Sequence, residues 1–450
     1  LRGIFVTVFA AVTSLVLTSA LAASRPAAVP RGKPAESRHS EIVGPGLEHI
    51  EIRRGDSSVG IGPDRWIVNV LVADPSRTRL ALGRAGDKGV GTETTSAIVR
   101  RLGALAGTNG GYFRTKGAYR GEPGGIVLQA GKVLSEPYRR RPGLAVSNKG
   151  PRTRLAVVDV DLRAEAVVAK KIRRRIDGIN RPRLDDELIL FTPEFDRTTL
   201  TGPQGIEAAV EKGRVAAVRD GSGNTVIPRG GAVLSAHGKA AAWLRANARP
   251  GVRLEWKTDA RFDPKPPFSP DFVLGGGPRL VRDGRAVAGH DPGTYAAGFA
   301  DARHPRTAVG VRADGRILLV AVDGRQPEKS VGMTIAELTA LLLELGAVEA
   351  INMDGGGSTT MVARGKVLPD GNGWVWRDLR VKLPTAFHSA LFLIAAAAVA
   401  VLFYTSFLGN FAGIIDAGRA VGVSFAKAGH PGPHAHPWSY YFQTLAYSRT

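Results

Sequence analysis

Four glycine-rich polar turns, each next to an apolar run, constrain the fold of this chain more than any other feature. The longest covers residues 352–361 and reads Asn-Met-Asp-Gly-Gly-Gly-Ser-Thr-Thr-Met. The other three occupy residues 108–113, 275–279 and 304–310. Glycine lets a main chain come close to a ligand or to another segment, and loops at the ends of apolar elements often carry function. We therefore expect the four turns to form one composite site.

Strand patterns dominate the sequence between these turns. Residues 66–73 alternate, with four large apolar side chains on one face, and further β-rich runs bounded by Gly, Pro and Asp cover residues 155–160, 187–191, 214–218, 307–311 and 316–322. Helical patterns are fewer, at residues 94–105 and 334–345, and Thr334 with Glu337 forms a capping box at the start of the second. We predict an α+β fold, namely a mixed β-sheet domain with few helices and with β-rich insertions between residues 154 and 257.

One predicted unit brings two acidic residues together. The strand at residues 316–322, the helix at residues 334–345 and a strand at residues 348–354 form a βαβ-like unit. If the two strands are parallel neighbours, Asp323 and Asp354 lie side by side at their carboxyl ends. The sequence therefore predicts a sheet edge that carries two carboxylates.

Charge and cysteine content narrow the classes of function. Lys plus Arg outnumber Asp plus Glu by 61 to 40, which gives a formal net charge of +21. This excess fits either a compositional bias or an anionic partner such as a sugar phosphate, a teichoic-type polymer or an acidic lipid. The basic run at residues 170–175 has no interleaved aromatic residues, so we predict no nucleic-acid partner. Cysteine is absent, which excludes disulfides and thiolate chemistry.

The two ends of the sequence differ from its centre. Residues 1–22 have the pattern of a signal peptide, and residues 23–42, rich in Pro, Arg and Ser, that of a flexible linker. Residues 386–408 form an apolar run long enough to cross a bilayer, so we predict a C-terminal transmembrane helix after a domain at residues 43–380. Residues 409–450 are then a tail, from a fused or truncated membrane protein on one interpretation. These patterns predict export, either to the extracellular face of the cell membrane or into the medium as a secreted protein.

The orientation of that transmembrane segment stays open. Arg377, Arg380 and Lys382 flank its N-terminal side, and the positive-inside rule places such residues in the cytoplasm. A signal peptide would instead place the preceding domain outside.

Taken in order, the four turns resemble the phosphodiester glycosidase family. The resemblance extends over about residues 43–375 and includes Ile179-Asn180-Arg181-Pro182-Arg183, Phe191-Thr192-Pro193 and Val322-Asp323-Gly324-Arg325. It implies a hydrolase that separates a sugar from a phosphate, with a phosphorylated glycan or sugar phosphate as substrate. Such a reaction calls for carboxylates near the anomeric carbon and for cations or amide donors around the phosphate.

The candidate site residues follow from this chemistry. We assign Asp354 and Asp323 as the catalytic carboxylates and Arg306 as the phosphate-binding cation, because its planar fork matches phosphate oxygens. The candidate substrate-binding residues are Asn109, Gly110, Gly111, Gly276, Gly355, Gly356 and Ser358.

Each assignment has a structural alternative. Asp-Gly pairs such as those at Asp323 and Asp354 are common in β-turns, and Asn109 could hydrogen-bond its own turn. Ser358 has no Gly-x-Ser-x-Gly surroundings and no assigned histidine to activate it as a nucleophile. Asp323, Asp354 and Asn352 could also hold calcium or magnesium through oxygen ligands. The sequence predicts no other cofactor.

Two functions are compatible with these patterns. The first is an exported hydrolase that cleaves a glycosyl phosphodiester in cell-surface or extracellular polysaccharide metabolism. The second is a non-catalytic glycan-binding or envelope-anchoring module, which would use Tyr112 and Phe113 but need no poised carboxylate.

Overall fold

The computed structural model describes residues 36–55, 65–287, 289 and 293–368 of the 450-residue chain. The strands in these residues are β1 (Glu36–Gly44), β2 (Leu47–Arg54), β3 (Trp66–Ala73), β4 (Ala106–Thr108), β5 (Val127–Gln129), β6 (Lys132–Ser135), β7 (Gly143–Ser147), β8 (Arg154–Val168), β9 (Ile172–Arg175), β10 (Gly178–Ile179), β11 (Leu188–Phe191), β12 (Ile206–Glu211), β13 (Arg214–Asp220), β14 (Gly231–Ala236), β15 (Leu254–Asp263), β16 (Phe272–Gly275), β17 (Arg279–Arg282), β18 (Arg285–Ala286), β19 (Arg306–Arg312), β20 (Ile317–Val322), β21 (Ala347–Asn352), β22 (Met361–Ala363) and β23 (Lys366–Leu368). The α-helices are α1 (Thr95–Arg101), α2 (Gly238–Asn247) and α3 (Ile335–Glu344). The predicted excess of strands over helices is confirmed.

The largest sheet of the described residues has eight strands in the order β1-β2-β3-β20-β19-β21-β17-β18. All of its pairings are antiparallel. β3 is near its centre and is buried on both faces from Val68 to Ala73, which explains the density of apolar residues in this strand. One face packs against α3, where Leu338 and Leu341 contact the cluster that contains Val68 and Val70.

The predicted βαβ-like unit exists in a different form. β20 and β21 run in the same direction and α3 connects them, but β19 lies between them and pairs antiparallel with both. The prediction that Asp323 and Asp354 follow neighbouring strands is therefore wrong. β19 and β20 are joined by a short connection and form a hairpin, so the connection through α3 must cross β19 to reach the next free edge. The result is a split βαβ unit.

The expected mixed sheet is also limited in extent. Parallel pairing is present between the two-residue strand β10 and its neighbour β11, in a five-stranded sheet of order β10-β11-β14-β12-β13. The eight-stranded sheet that carries the predicted carboxylates contains no parallel neighbours among its described strands. The fold is therefore β-rich, and nearly all of its described strand pairs are antiparallel.

The start of α3 follows the predicted capping box closely. Thr334 Oγ1 accepts a hydrogen bond of 3.1 Å from the Glu337 amide, and Glu337 Oε2 accepts one of 2.8 Å from the Thr334 amide. The pair satisfies amides that have no partner inside the helix. The predicted helix at residues 334–345 is confirmed to within one residue at each end.

Two further sheets complete the main layers. The second face of the eight-stranded sheet packs against a seven-stranded sheet of order β15-β8-β7-β16-β5-β6, in which β9 also pairs with β8. Val309 and Ile351 from the first sheet meet Leu144 and Val146 from the second in one apolar cluster. The other face of the seven-stranded sheet shares a core with the five-stranded sheet and α2. A three-stranded sheet, β23-β22-β4, connects distant parts of the chain.

The structure bears on some of the predictions for the two ends. β1 begins at Glu36 and pairs with β2 as far as Gly44, so the linker prediction for residues 23–42 fails from residue 36 onward. The predicted signal peptide, the transmembrane helix at residues 386–408 and the tail lie outside the described residues. Among the described residues, no helix combines the length and the apolarity that a bilayer crossing needs.

Candidate functional site

The predicted site residues come together at one edge of the eight-stranded sheet. Arg306 is the first residue of β19 and pairs with Val322, so it lies at the end of β20 that leads into Asp323. On the other side of β19, Ala308 pairs with Asn352, two residues before Asp354. Arg306 thus enters the sheet between the two strand ends that carry the predicted carboxylates.

Asn109 connects three segments of this edge through its side chain. Its Nδ2 donates a hydrogen bond of 2.8 Å to the main-chain carbonyl of Asp354. Its Oδ1 accepts hydrogen bonds from Thr307 Oγ1 at 2.8 Å and from the Thr360 amide at 3.0 Å. The Asp354 amide in turn donates to the Gly110 carbonyl at 3.0 Å. Asn109 therefore positions the Asp354 turn, and its amide is used by protein contacts across the site.

The glycines of the predicted turns allow main chains to touch. A Cβ atom on Gly111 would lie 2.2 Å from the carbonyl oxygen of Gly275, and one on Gly355 would lie 2.8 Å from the carbonyl oxygen of Pro305. Both distances are too short for any side chain. The glycine-rich turns predicted to form one composite site are in direct contact with each other.

Asp354 has an enclosed carboxyl group. Its Oδ1 accepts a hydrogen bond of 2.9 Å from the Gly355 amide, and its Oδ2 accepts one of 2.6 Å from Ser358 Oγ. Burial raises the pKa of Asp354, while the hydrogen bonds from Ser358 and Gly355 and the charge of Arg141 act in the opposite direction. A half-buried carboxyl with a raised pKa, at the meeting point of several loops, is typical of a group that transfers protons. Ser358 serves here as a donor to Asp354.

Asp323 lies on the opposite side of β19 from Asp354. Its side chain is 4% exposed, its amide donates to the Ile67 carbonyl of β3 at 2.9 Å, and its carbonyl accepts from Ser330 Oγ at 2.7 Å. Its charge also helps to raise the pKa of Arg53, after the larger effect of Glu51. These main-chain contacts tie Asp323 to β3 and to the loop after β20, and its catalytic role stays a prediction.

Arg306 is almost completely buried, with 2% of its surface exposed. Nε donates to the Met333 carbonyl at 2.8 Å, and Nη2 donates to the carbonyls of Phe299 and Ala302 at 2.8 Å each. The guanidinium also lies 4.9 Å from the centre of the Phe299 ring. Burial lowers the pKa of Arg306 to about 10, so the group stays charged at neutral pH. Nη2 thus holds the loop that enters β19, and Nε holds the segment before α3. No hydrogen bond to a described residue is found for Nη1, which is the nitrogen left for the predicted role in phosphate binding.

Several aromatic rings pack around or next to Arg141 beside Asp354, and they were not predicted as part of the catalytic site. We call Tyr112, Tyr138, Tyr295 and Phe299 the aromatic group. The Arg141 guanidinium lies 4.5 Å from the centre of the Tyr112 ring and 4.9 Å from those of Tyr138 and Tyr295. The Tyr295 ring stacks on Phe299 with the centres 4.9 Å apart. Arg141 is the last of three consecutive arginines, so its sequence surroundings carry no signal that distinguishes it.

Asn352 fixes Tyr112 to the composite site. Its Nδ2 donates to Tyr112 Oη at 2.9 Å and to the Gly277 carbonyl at 3.0 Å, and Tyr112 Oη donates to the same carbonyl at 2.7 Å. A Cβ atom on Gly276 would lie 2.8 Å from the Asn352 carbonyl oxygen. Burial raises the pKa of Tyr112, assisted by the nearby charges of Tyr295 and Asp354. Asn352 therefore acts through positioning.

The predicted calcium or magnesium site has no support from the arrangement of ligands. In the part of the chain that the structure describes, no group of three or more acidic or histidine side chains could hold a metal ion. Asp323 and Asp354 are separated by β19.

Two cavities lie away from this edge. One of about 660 Å³ is lined by residues that include Lys88, Arg120 and Asp196, and one of about 320 Å³ is lined by residues that include Arg183 and His237. Neither contains a predicted site residue. We place the candidate site at the sheet edge because the enclosed carboxyl, the cations and the aromatic rings meet there.

Comparison with known families and proteins agrees with the resemblance inferred from the motifs. Residues 204–387 match the family described as phosphodiester glycosidase, which confirms the resemblance over that range. An N-acetylglucosamine-1-phosphodiester alpha-N-acetylglucosaminidase of Bos taurus is 40% identical over 67 residues, which are 15% of this chain and 12% of the relative. The SPbeta prophage-derived protein YomE of Bacillus subtilis is 39% identical over 66 residues, 15% of this chain and 10% of the relative. The chain thus spans about a tenth of the length of these curated relatives.

Solved structures share the fold over a larger part of the chain. A crystal structure of a protein from Burkholderia pseudomallei K96243 superposes with a TM-score of 0.64 and 26% identity, covering 75% of this chain and 94% of the other. A protein from Synechocystis superposes with a TM-score of 0.60 and 22% identity, covering 72% and 59%. The second similarity shows the fold alone.

Proposed function

We propose, from the phosphodiester glycosidase match at residues 204–387, that this chain hydrolyses a glycosyl phosphodiester at a site centred on Asp354. The observation that carries this proposal is the enclosed Asp354 carboxyl, whose pKa burial raises, at the point where the glycine-rich turns meet. Carboxylates are the residues that cleave glycosidic bonds through oxocarbenium-like transition states.

The reaction adds water across the bond between the anomeric carbon and the phosphate oxygen. The sugar gains a hydroxyl group, and the phosphomonoester leaves with the bonding electrons. Asp354 in its ionised form either removes a proton from the attacking water or adds to the anomeric carbon itself. Both roles need an unprotonated carboxyl, so its raised pKa sets the acidic limit of activity.

The aromatic group supplies a surface for the sugar. Tyr112 is held by Asn352 and by Gly277, and the stacked rings of Tyr295 and Phe299 lie on the side of Arg306. Aromatic faces with a few fixed polar groups are typical of small-ligand sites. Arg141 adds a positive charge close enough to act on the pKa of Asp354. This combination favours an uncharged ring next to an anionic group, as in a sugar phosphate.

A non-catalytic glycan-binding module is the second candidate. The same aromatic group would serve it, but binding alone gives no reason to enclose the Asp354 carboxyl against Ser358 and Gly355. We favour the hydrolase because the carboxyl is the feature that binding does not require.

Export and a role in extracellular polysaccharide metabolism are part of the same proposal. They are supported by the signal-like pattern of residues 1–22 and by the apolar run at residues 386–408. Fractionation of cells that produce the full chain tests them: protein in the envelope or medium is expected, and retention in the cytoplasm would contradict export.

The activity is tested with diesters of N-acetylglucosamine-1-phosphate, in which the second ester group is a fluorogenic aryl group or a sugar. The same diesters of other glycosyl phosphates are tested beside them. Asp354→Asn keeps the size of the side chain and removes its charge, so we expect turnover to fall by about a hundredfold or more with the fold intact. Asp314→Asn, in the exposed turn between β19 and β20, is the matched control and should keep wild-type turnover. Equal turnover of Asp354→Asn and wild type would remove Asp354 from the mechanism.

A further inference from the structure

Arg325 is an exposed arginine that the fold directs over the Asp354 turn. It follows the Asp323-Gly324 pair after β20, and its backbone has a φ of 61°, in the left-handed region that residues other than glycine seldom adopt. Its Nη2 lies 3.4 Å from His304 Nδ1. A Cβ atom on Gly356 would lie 3.0 Å from the same Nη2, so the guanidinium rests directly against the glycine-rich turn.

The surroundings of Arg325 are positively charged. The charges of Arg306 and Arg325 both lower the pKa of His304, after the larger effect of burial. Arg325 also contributes to lowering the pKa of Arg306. We call His304, Arg306 and Arg325 the cationic cluster. Like charges held together in this way repel each other, and an anion between them removes the repulsion.

Among the described residues, no carboxylate pairs with either of the two arginines of the cluster. In the described part of the chain, Arg306 and Arg325 form no ion pair, and Nε and Nη2 of Arg306 donate to main-chain carbonyls. Arg181 and Arg303, in contrast, pair with Glu187 and Glu337. The cluster therefore keeps a net positive charge at the rim of the site.

We propose that Arg325 and His304 bind the phosphate group of the substrate. This proposal rests on the proposed function and assigns the phosphate subsite to the exposed part of the cationic cluster, with the buried Arg306 as a positioning residue behind it. The planar fork of Arg325 can contact two phosphate oxygens. A neutral His304 that accepts at Nδ1 keeps a proton on Nε2, which can donate to a third oxygen.

The position of the subsite relative to Asp354 fits the reaction. Gly356, against which Arg325 rests, is two residues after Asp354 on the same turn. A phosphate held by Arg325 is then next to the carboxyl that acts at the anomeric carbon. The absence of a side chain at Gly356 lets the guanidinium approach this turn.

The test measures the affinity of the full chain for inorganic phosphate by isothermal titration calorimetry. It also measures kcat and KM with the phosphodiester substrate. We expect Arg325→Ala to weaken phosphate binding by roughly tenfold to a hundredfold and to raise KM more than it lowers kcat. Arg325→Lys should recover part of the affinity, since it restores the charge without the planar fork. His304→Gln, which keeps one donor, should have a smaller effect. The matched control is Arg229→Ala, an exposed arginine before β14, which should bind phosphate as wild type does.

The outcomes separate this subsite from the proposed function. Wild-type phosphate affinity in Arg325→Ala, or an equal loss in Arg229→Ala, would overturn the subsite. So would the absence of phosphate binding by the wild-type protein. Phosphate binding that depends on Arg325, without hydrolysis of any glycosyl phosphodiester, would support the subsite and contradict the hydrolase.

Discussion

The side-chain amide of Asn109 donates a hydrogen bond of 2.8 Å to the main-chain carbonyl of Asp354, although 245 positions separate the two residues in the sequence. The same Asn109 side chain accepts hydrogen bonds from β19 and from the segment before β22. The Asp354 turn is therefore held by a residue from a distant part of the chain.

Asn109→Ala should destabilise the protein and also reduce its activity. The substitution leaves the Asp354 carbonyl, Thr307 Oγ1 and the Thr360 amide without their partner, and each lost partner costs about 1–3 kcal/mol when the group is buried. Chemical denaturation and turnover measure the two effects.

Asn148→Ala is the control for that substitution. Asn148 ties down a different loop, with Nδ2 donating to the Leu80 carbonyl at 2.8 Å. We expect a similar loss of stability with unchanged turnover in the folded protein. Full activity in folded Asn109→Ala would show that the Asp354 turn does not depend on Asn109.

The stability of Asp354→Asn relative to wild type should depend on pH. The pKa of Asp354 is raised in the folded protein, so the folded state binds this proton more tightly than the unfolded state does. The contribution of Asp354 to stability is therefore most favourable at low pH and becomes less favourable as the pH rises from the unfolded value of about 3.9 through the folded pKa. Asparagine does not titrate. We therefore expect the melting temperature of Asp354→Asn to rise relative to that of wild type between pH 4 and pH 7. A difference in melting temperature that stays constant over this range would contradict the raised pKa.

Arg306→Lys should reduce stability by about 2–3 kcal/mol, because an ammonium group cannot reproduce the planar donors that reach the Met333, Phe299 and Ala302 carbonyls. Denaturation curves measure the loss, and Arg312→Lys at the other end of β19 should have a small effect. A variant with wild-type stability and much weaker phosphate binding would instead favour Arg306 as the phosphate ligand.

Gly111→Ala should disturb the contact between two of the glycine-rich turns. The new methyl group would lie 2.2 Å from the Gly275 carbonyl oxygen, so the main chain has to move, at a cost of about 1–3 kcal/mol. Gly230→Ala, where no atom lies within 4 Å of the new methyl group, is the control. Similar stability for the two variants would mean that the turns do not pack as described.

Local patterns in the sequence predicted some elements well and their neighbours poorly. The capping box at Thr334 and the alternation in residues 66–73 depend on nearby residues, and both elements were found with nearly the predicted bounds. The position of β19 between β20 and β21 depends on which strands pair with each other, and local periodicity does not encode strand pairing. The motifs placed Asp354 and Arg306 at one edge of the sheet, as the structure does. The prediction that Asp323 and Asp354 follow adjacent strands was wrong because strand order is not a local property.

The roles of arginines were hardest to predict. Arg306 and Arg325 are both next to recognisable motifs, and the sequence favoured Arg306 for the phosphate. The structure distinguishes them by burial, with Arg306 2% exposed and Arg325 exposed. Which of two nearby cations faces solvent depends on packing in three dimensions, and Arg141 had no motif at all.

The pairing of β4 with β22 has a consequence for the folding of the protein during its synthesis. A ribosome releases the Asn109 segment long before it releases Met361 and the strand that β4 needs as its partner. Until then, Asn109 has no Asp354 turn to hold, and contacts this distant in sequence form slowly. The nascent chain therefore has no assembled site, and the appearance of ligand binding during refolding should report the last step of folding.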